Sequence, residues 1–515
     1  METQSGLRVA KLRAVDDGPM ILVAGALMVA ALAAALAAGR LRVPGLVLFL
    51  GLGMAIGSDG TGWIRFDDYE LARTIGIIAL GLILFEGGLM AGFGEIRPVL
   101  GASLALAFAG TVGTAVVTGF AAVVLLDLST LEGMLVGSIL AATDGAAIFG
   151  VLRGSTLRRR LARTLEGEAG FNDPVAVLLV VGFIDWIQLP DYGFVDMSLL
   201  LVRELGIGLL AGLAVGWLGV QGMRRARLGT AGVYPVGTIG IAAVAYGAAA
   251  TLHGSGFLAV YLAGLVLGSA TIPAKQTVRI FHQGLAWIAQ VAMFLVLGLL
   301  VFPSQLDSVA TEGTVLALVL ACVARPAAAA LSTAFAGFSA AERLVLGWAG
   351  LRGAVPVVLA TFPVIEGVPH SLEFFNLVFF AVLVSTVLQG ATFEPLARAM
   401  GVTTTEPALG VEERPPRTAS STAQIFTTRP WRPEDGDPAY PRAVAGIAVV
   451  HQRRTRLDEP GALVELEDGR YAFTGPVLSI GSASALQGGA RRRLARSSTE
   501  AERDWWREVI GALAR

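Results

Sequence analysis

The sequence predicts an all-α polytopic membrane protein of about thirteen transmembrane helices with a small α+β tail. Three observations carry that expectation. Only 15% of the 515 residues are charged while 54% are hydrophobic, and mean hydropathy is +0.68, whereas soluble domains run at about 25% charged. The apolar residues gather in runs near the roughly 20 residues that cross a bilayer as helix. Basic residues concentrate in alternate connections between those runs.

The runs fall at about 19–39, 43–58, 71–92, 98–126, 131–150, 165–187, 198–220, 232–251, 254–270, 282–303, 313–336, 341–366 and 371–396. Arg40 and Arg42 follow the first run at once, so it reads as a retained helix and not as a cleaved leader. Loops after odd-numbered runs carry Arg97, the set Arg153, Arg158, Arg159, Arg160 and Arg163, then Arg224, Arg225 and Arg227, Lys275 and Arg279, Arg343, and Arg398. Loops after even-numbered runs are poor in base, with Asp67, Asp68 and Glu70 beside Arg65 and Arg73, then Asp127, then Asp185 and Asp191. The positive-inside rule makes the odd loops cytoplasmic, which puts the N-terminus outside and the C-terminus inside a cell inner membrane. Arg8, Lys11 and Arg13 argue the other way and are outvoted.

Composition changes after the last run. The expected organisation is an extension over 1–18, a transmembrane domain over 19–400, a linker over 401–442 rich in Thr, Pro, Glu and Arg, and a small cytoplasmic domain over 443–515. In that last part Leu463–Phe473 reads as a hairpin around Asp468-Gly469, and Thr499 with Glu502 reads as a capping box. Arg491, Arg492, Arg493 and Arg496 read as a solvated face, and there is no glycine-rich nucleotide fingerprint. The net charge of −1 gives no general attraction to nucleic acid. Cys322 is the only cysteine, so an internal disulfide is excluded, and its apolar surroundings suggest a small core residue. The 64 glycines suit close packing between membrane helices, where small residues let backbones touch.

A charged group inside hydrocarbon costs several kcal/mol, so each one is a functional candidate. Glu86 lies in LILFEGGLM, Thr143-Asp144 in AATDGAAIFG, and Glu168 and Asn172-Asp173 in LEGEAGFNDPVAVLLVV. Arg352 lies in LGWAGLRGAVPVVLA, between glycines and close to Pro356. Glycine weakens a helix and proline removes a backbone donor, so the fifth and twelfth runs are expected to be interrupted. They lie seven runs apart, an odd offset that inverts the second copy, and paired interruptions of this kind point to a transporter's binding site. Glu168 and Asn172 share one helix face and Asp173 lies about 100° around. Asp173, Asn172 and Thr143 offer the oxygen ligands that a hard cation such as Na⁺ prefers. A buried Arg352 needs a partner, for which Glu168 is favoured and Glu86 is second. Arg325, beside Pro326 in the eleventh run, is placed to neutralise Asp144 or Glu86, and the sequence does not choose. Glu166 reads as an interfacial ion pair, Glu95 and Glu132 as loop residues, and His253 and His282 as interfacial histidines at run ends.

The order Thr-Asp, then Glu-x-x-x-Asn-Asp-Pro, then Gly-Leu-Arg-Gly-Ala resembles the cation:proton antiporters of the NhaP and sodium/proton exchanger type, over roughly residues 20–400. That resemblance implies a thirteen-helix fold with a six-helix core, a dimerisation domain and hence a homodimer, crossing interrupted helices, and elevator-like alternation. It implies Asp173 as carrier of ion and proton, Asn172 as the neighbour typical of the electroneutral branch, and Thr143 and Asp144 as the unwound crossover. It further implies Glu168 bridging Arg352, with Glu86 near a cytoplasmic funnel. One departure is Gly145, where many members have proline.

The resulting expectation is a secondary antiporter exchanging Na⁺ or K⁺ for H⁺, without ATP and without any cofactor. A channel, a membrane enzyme and a sensor are the competing classes. No His-Glu-x-x-His is present, and Asp144 with Asp173 is the one plausible acid pair for an enzyme.

Overall fold

The computed structural model describes residues 17–41, 45–145, 157–226 and 230–404, and beyond them 449–454, 462–466, 471–474, 478–481 and Arg507. The chain divides into two units, Met1–Leu409 and Gly410–Arg515.

Helices are the regular elements of the first unit's described residues, as lipid requires. No water is there to satisfy backbone groups, so an apolar run closes its own hydrogen bonds. In chain order the helices are α1 (Asp17–Leu41), α2 (Gly45–Ile56), α3 (Tyr69–Ala91), α4 (Phe93–Leu126), α5 (Thr130–Ala141), α6 (Arg159–Gln188) and α7 (Phe194–Arg225). There follow α8 (Tyr234–Thr251), α9 (Gly256–Ser269), α10 (Lys275–Leu299), α11 (Pro303–Ser332), α12 (Ala340–Trp348), α13 (Ala354–Ile365) and α14 (Ser371–Ala399). Among the described residues, 8 helices are long and apolar enough to cross a membrane: α3, α4, α6, α7, α8 with its preceding turn, α10, α11 and α14. The other apolar runs hold shorter helices. The fold is that of an all-helical, multi-pass membrane protein.

Two stretches of chain share one sequence of elements. Both α4 and α11 open with a short α turn, continue through a 3₁₀ turn (Arg97–Val99 and Asp307–Val309), and carry a π turn in mid-span (Leu106–Gly110 and Leu320–Ala324). Each is followed by a short helix opened by a capping box, Ser129 with Glu132 and Ser339 with Glu342. Glu132 is therefore a helix-start residue and not a loop residue, because a serine with a glutamate three positions on satisfies two orphan donors. Glu95 likewise sits in the first turn of α4, paired with Arg159 at 2.5 Å and Arg163 at 3.3 Å.

The buried side chains form two main clusters. The larger joins α3, α4, α5, α6 and α10 to α14, while the smaller joins α7, α8 and α9 to Phe85 and Leu89 of α3. Helix α9 contributes to both. Its Ala259, Val260 and Ala263 belong to the smaller cluster, its Leu258, Tyr261 and Leu262 to the larger. The backbones of α7 and α9 touch along Gly208, Gly212 and Gly216, where an added Cβ at Gly212 would lie 2.7 Å from Ala259 Cα. The opposite side of α7 exposes Leu199, Leu210 and Trp217, as a lipid-facing or subunit-facing surface does.

The end of the unit returns to the start of α6. Leu157 bridges Thr403, the Arg158 N–H donates to Val402 O at 3.0 Å, and the Arg158 guanidinium donates to Gly401 O at 3.1 Å. Cys322 is exposed, not a core residue, because the π turn that holds it rotates it away from its packed neighbours. In the second unit four strands, β1 (Val449–Arg454), β2 (Ala462–Leu466), β3 (Tyr471–Thr474) and β4 (Leu478–Gly481), pair antiparallel in chain order. Leu463 lies opposite Phe473. The Asp468-Gly469 turn, the Thr499–Glu502 box and the Arg491–Arg496 cluster lie outside the described residues.

Gly212→Ala is expected to lower stability by about 1–3 kcal/mol through overpacking against α9. Gly222→Ala, on the same helix with nothing within 4 Å of the new methyl, is expected to leave stability unchanged or raise it. Melting of both variants in detergent checks this.

Candidate functional site

The fifth run stops being helical where glycine and a charge meet. Helix α5 ends at Ala141, and Ala142 is extended, with φ −62° and ψ 131°. Residues 349–353 separate α12 from α13. The two gaps are joined: the Asp144 N–H donates to Leu351 O at 2.9 Å. Freed backbone at membrane depth is tolerated only inside protein or a watery cavity, and here each gap supplies the other's partner.

The charges complete that pairing. The C-terminal carbonyls of a helix carry partial negative charge and its N-terminal N–H groups partial positive charge. Arg352 donates from Nη1 to Ala141 O at 2.7 Å and Ala142 O at 2.8 Å, which satisfies the end of α5. Asp144 accepts from the Ala354 N–H at 3.1 Å and so caps α13. The Asp144 carboxylate lies against Gly353, where a side chain would overlap it. Helix α14 holds the second gap from behind: Thr386 donates to Arg352 O, and Gln389 donates to Trp348 O at 3.1 Å.

Arg352 therefore does not take Glu168 as its ion-pair partner. Glu168 pairs with Arg325 at 2.5 Å, and both are buried. The reason is positional. Arg352 sits where the orphan carbonyls of α5 need a donor, while Arg325 opens the helical turn after the π turn of α11 and reaches α6. Arg325 accordingly neutralises Glu168 in place of the expected Asp144 or Glu86. Glu86 is buried on α3.

Asn172 and Asp173 lie in the middle of α6, next to Pro174, and both are fully buried. Asn172 accepts weakly from the Thr143 N–H, at 3.4 Å, so its carbonyl steadies the unwound chain. Among the described residues, Thr143 Oγ1, Asn172 Nδ2 and both carboxylate oxygens of Asp173 have no hydrogen-bond partner. Asp144 lies within electrostatic range of Asp173. Three uncommitted oxygens, two of them on one carboxylate, thus come with the crossing. That donor set fits a hard monovalent cation or a proton. No group of three or more His, Cys, Asp or Glu residues able to hold a metal ion occurs among the described residues.

Other expectations are refined. Glu166 does pair with Arg163, at 2.5 Å, and is buried in the protein. His282 lies inside α10, buried and 2.8 Å from Thr238 Oγ1. His253 ends α8 in the left-handed region, with φ 57°. Sequence reasoning missed Thr386 and Gln389, although polar residues one turn apart in an otherwise apolar run were a readable signal.

Two stretches that leave helix and join through the Asp144 N–H and Leu351 O, with buried carboxylates nearby, suit an ion-translocating membrane transporter. The comparisons agree. Residues 27–399 match the family model described as sodium/hydrogen exchanger, transmembrane, and the chain belongs to that family, one of transporters and not of enzymes. It is 38% identical over 398 residues to the K(+)/H(+) antiporter NhaP2 of Shewanella baltica, covering 76% of this chain and 67% of that protein. It is 41% identical over 382 residues to the K(+)/H(+) antiporter NhaP of Alkalimonas amylolytica, covering 73% and 66%. To the Na(+)/H(+) antiporter NhaH of Halobacillus dabanensis it is 28% identical over 326 residues, covering 60% and 78%. The chain thus spans about two thirds of the length of the K(+)/H(+) antiporters it matches. The structure of the sodium proton antiporter MjNhaP1 from Methanocaldococcus jannaschii shares the fold, with TM-score 0.62 and 23% identity, covering 74% of this chain and 98% of that one.

Breaking a buried ion pair from one side leaves an uncompensated charge and costs about 3–5 kcal/mol. Glu168→Ala and Arg325→Ala should each destabilise on that scale, and the double variant by much less than their sum. The Glu168→Ala and Arg352→Ala effects should be nearer additive. Double-mutant cycles on detergent melting read both.

Proposed function

We propose that this chain is a secondary antiporter exchanging K⁺ or Na⁺ for H⁺, one for one, by alternating access. The observation that carries this reading is Asp173: a fully buried carboxylate whose two oxygens have no described partner, next in the chain to Asn172, whose carbonyl meets the Thr143 N–H, and within electrostatic range of Asp144. Asp173 holds a proton or a bare cation, because one carboxylate does not serve both at once. When the cation binds, Asp173 and Thr143 replace its hydration shell with oxygen ligands, and Asn172 fixes the unwound chain beside them. When the proton binds, the carboxyl is neutral. Either way the site crosses as a neutral unit, so the exchange moves no net charge. That separates the antiporter from a channel, which carries current.

The remaining charges are structural in this reading. Arg352 and Asp144 complete the half-helix ends, Glu168 and Arg325 tie α6 to α11, and Glu86 is accessory. About thirteen helices in two inverted repeats are supported by the matching element series of α4–α5 and α11–α12. A homodimer is supported by the exposed apolar side of α7. The inner-membrane orientation, N-terminus outside and C-terminus cytoplasmic, rests on the positive-inside pattern. The linker and the 443–515 domain act from the cytoplasm in regulation, and the protein serves pH and cation homeostasis. K⁺ as the physiological cation is supported by the relatives named K(+)/H(+) antiporters at 38% and 41% identity, against 28% for the one named for Na⁺.

In proteoliposomes with an imposed K⁺ or Na⁺ gradient, Asp173→Asn is expected to abolish cation-driven pH change while the wild type shows it without current. Persistent exchange refutes Asp173 as carrier. A wild-type preference for Na⁺ over K⁺ refutes the K⁺ reading alone.

A further inference from the structure

One buried polar group has no task in the mechanism above. Tyr261, on α9, is 1% exposed, and its hydroxyl has no hydrogen-bond partner among the described residues. A phenylalanine would pack in the same space without leaving a hydroxyl unsatisfied, a cost that buried polar groups normally avoid. The position of the ring gives the reason. Its far end rests on Gly170 of α6 so closely that a Cβ there would fall on Cζ, Cε1 and Cε2. The ring also meets Phe171 edge-on, with centroids 5.1 Å apart and planes at 76°.

Gly170 divides α6 at an informative place. Glu166 lies one turn before it, and Asp173 and Pro174 lie one turn after, so the three stations share a face of the helix. Glu166 is buried and leads through Arg163 to the exposed Glu95. Pro174 has no N–H to offer the carbonyl of Gly170. A file of polar groups therefore runs from the Arg159 end of α6 toward Asp173, and Tyr261 stands across it. Helix α9 also contributes side chains to both hydrophobic clusters. Any sliding of α6 against the α7–α9 body must lift Gly170 off the ring.

We propose that Tyr261 is the gate on this side of the site: its ring, seated on Gly170, closes the way between Glu166 and Asp173, and its hydroxyl receives the cation or proton that passes when the seat is left. This rests on the antiporter reading. The gate works by steric closure plus one polar stepping point, so it sets the rate of access and not the affinity of the site.

The test compares full-length wild type, Tyr261→Phe, Gly170→Ala and Asp173→Asn in proteoliposomes, with the cation-dependent rise in melting temperature as a separate measure of binding. Tyr261→Phe is expected to lower the maximal exchange rate about ten-fold, as loss of one transition-state hydrogen bond does. Its apparent cation KM and its melting rise with K⁺ should stay at wild-type values. Gly170→Ala should shift exchange the other way, raising its rate or letting the cation leak without counter-transport, because the methyl denies the ring its seat and holds the way open. Wild-type rates in both variants overturn the gate, and so does a Tyr261→Phe defect that comes with lost cation protection, which would make the residue part of the site. Exchange retained by Asp173→Asn strikes at the carrier itself and removes the gate with it, and that outcome is recognisable without reference to Tyr261.

Discussion

The molecule depends on the meeting of two stretches where apolar runs leave helix, at 142–144 and at 349–353. An interrupted helix at membrane depth leaves carbonyls and N–H groups that lipid cannot satisfy. The hydrogen bond from Asp144 to Leu351 O joins the two gaps. Arg352 then meets the negative end of α5, and Asp144 the positive end of α13. Neither interruption is tolerable alone, which is why the chain carries them as a pair, and why α14 spends Thr386 and Gln389 on the carbonyls that remain.

That arrangement decides what each buried charge is available for. Arg325 and Glu168 are committed to one another, Arg163 to Glu166, and Arg352 and Asp144 to helix ends. Asp173 is left with neither oxygen engaged by a described residue. A carboxylate held by an arginine has a fixed charge state and nothing to exchange. One without such a partner, next in the chain to the asparagine that meets the unwound segment, is suited to trade a proton for a metal ion. The proposed mechanism is this difference in commitment among residues of the same type.

Much of this was legible along the chain. Apolar runs marked the spans, because helix is the economical answer to lipid. Thr143-Asp144, Asn172-Asp173 and the glycines around Arg352 marked the crossing, because charges and helix breakers in such runs are too costly to be incidental. The pairing of Glu168 was not legible. Two arginines, 157 and 184 positions away in the chain, are equally good partners on charge alone. Only the turn of α11 and the carbonyl end of α5 assign one to each role. Cys322 and His282 failed for a related reason: a run of apolar sequence fixes depth in the membrane but not which side of a helix faces its neighbours.

Sequence by itself determined that this is a multi-pass helical membrane protein, which charges lie at membrane depth, and where two helices break, since those follow from hydropathy and local backbone chemistry. Tertiary structure alone decided which arginine holds which acid, that Asn172 turns its carbonyl to the Thr143 backbone, and that Tyr261 rests on Gly170. These are contacts between residues far apart in the chain, and they exist only once the helices are packed.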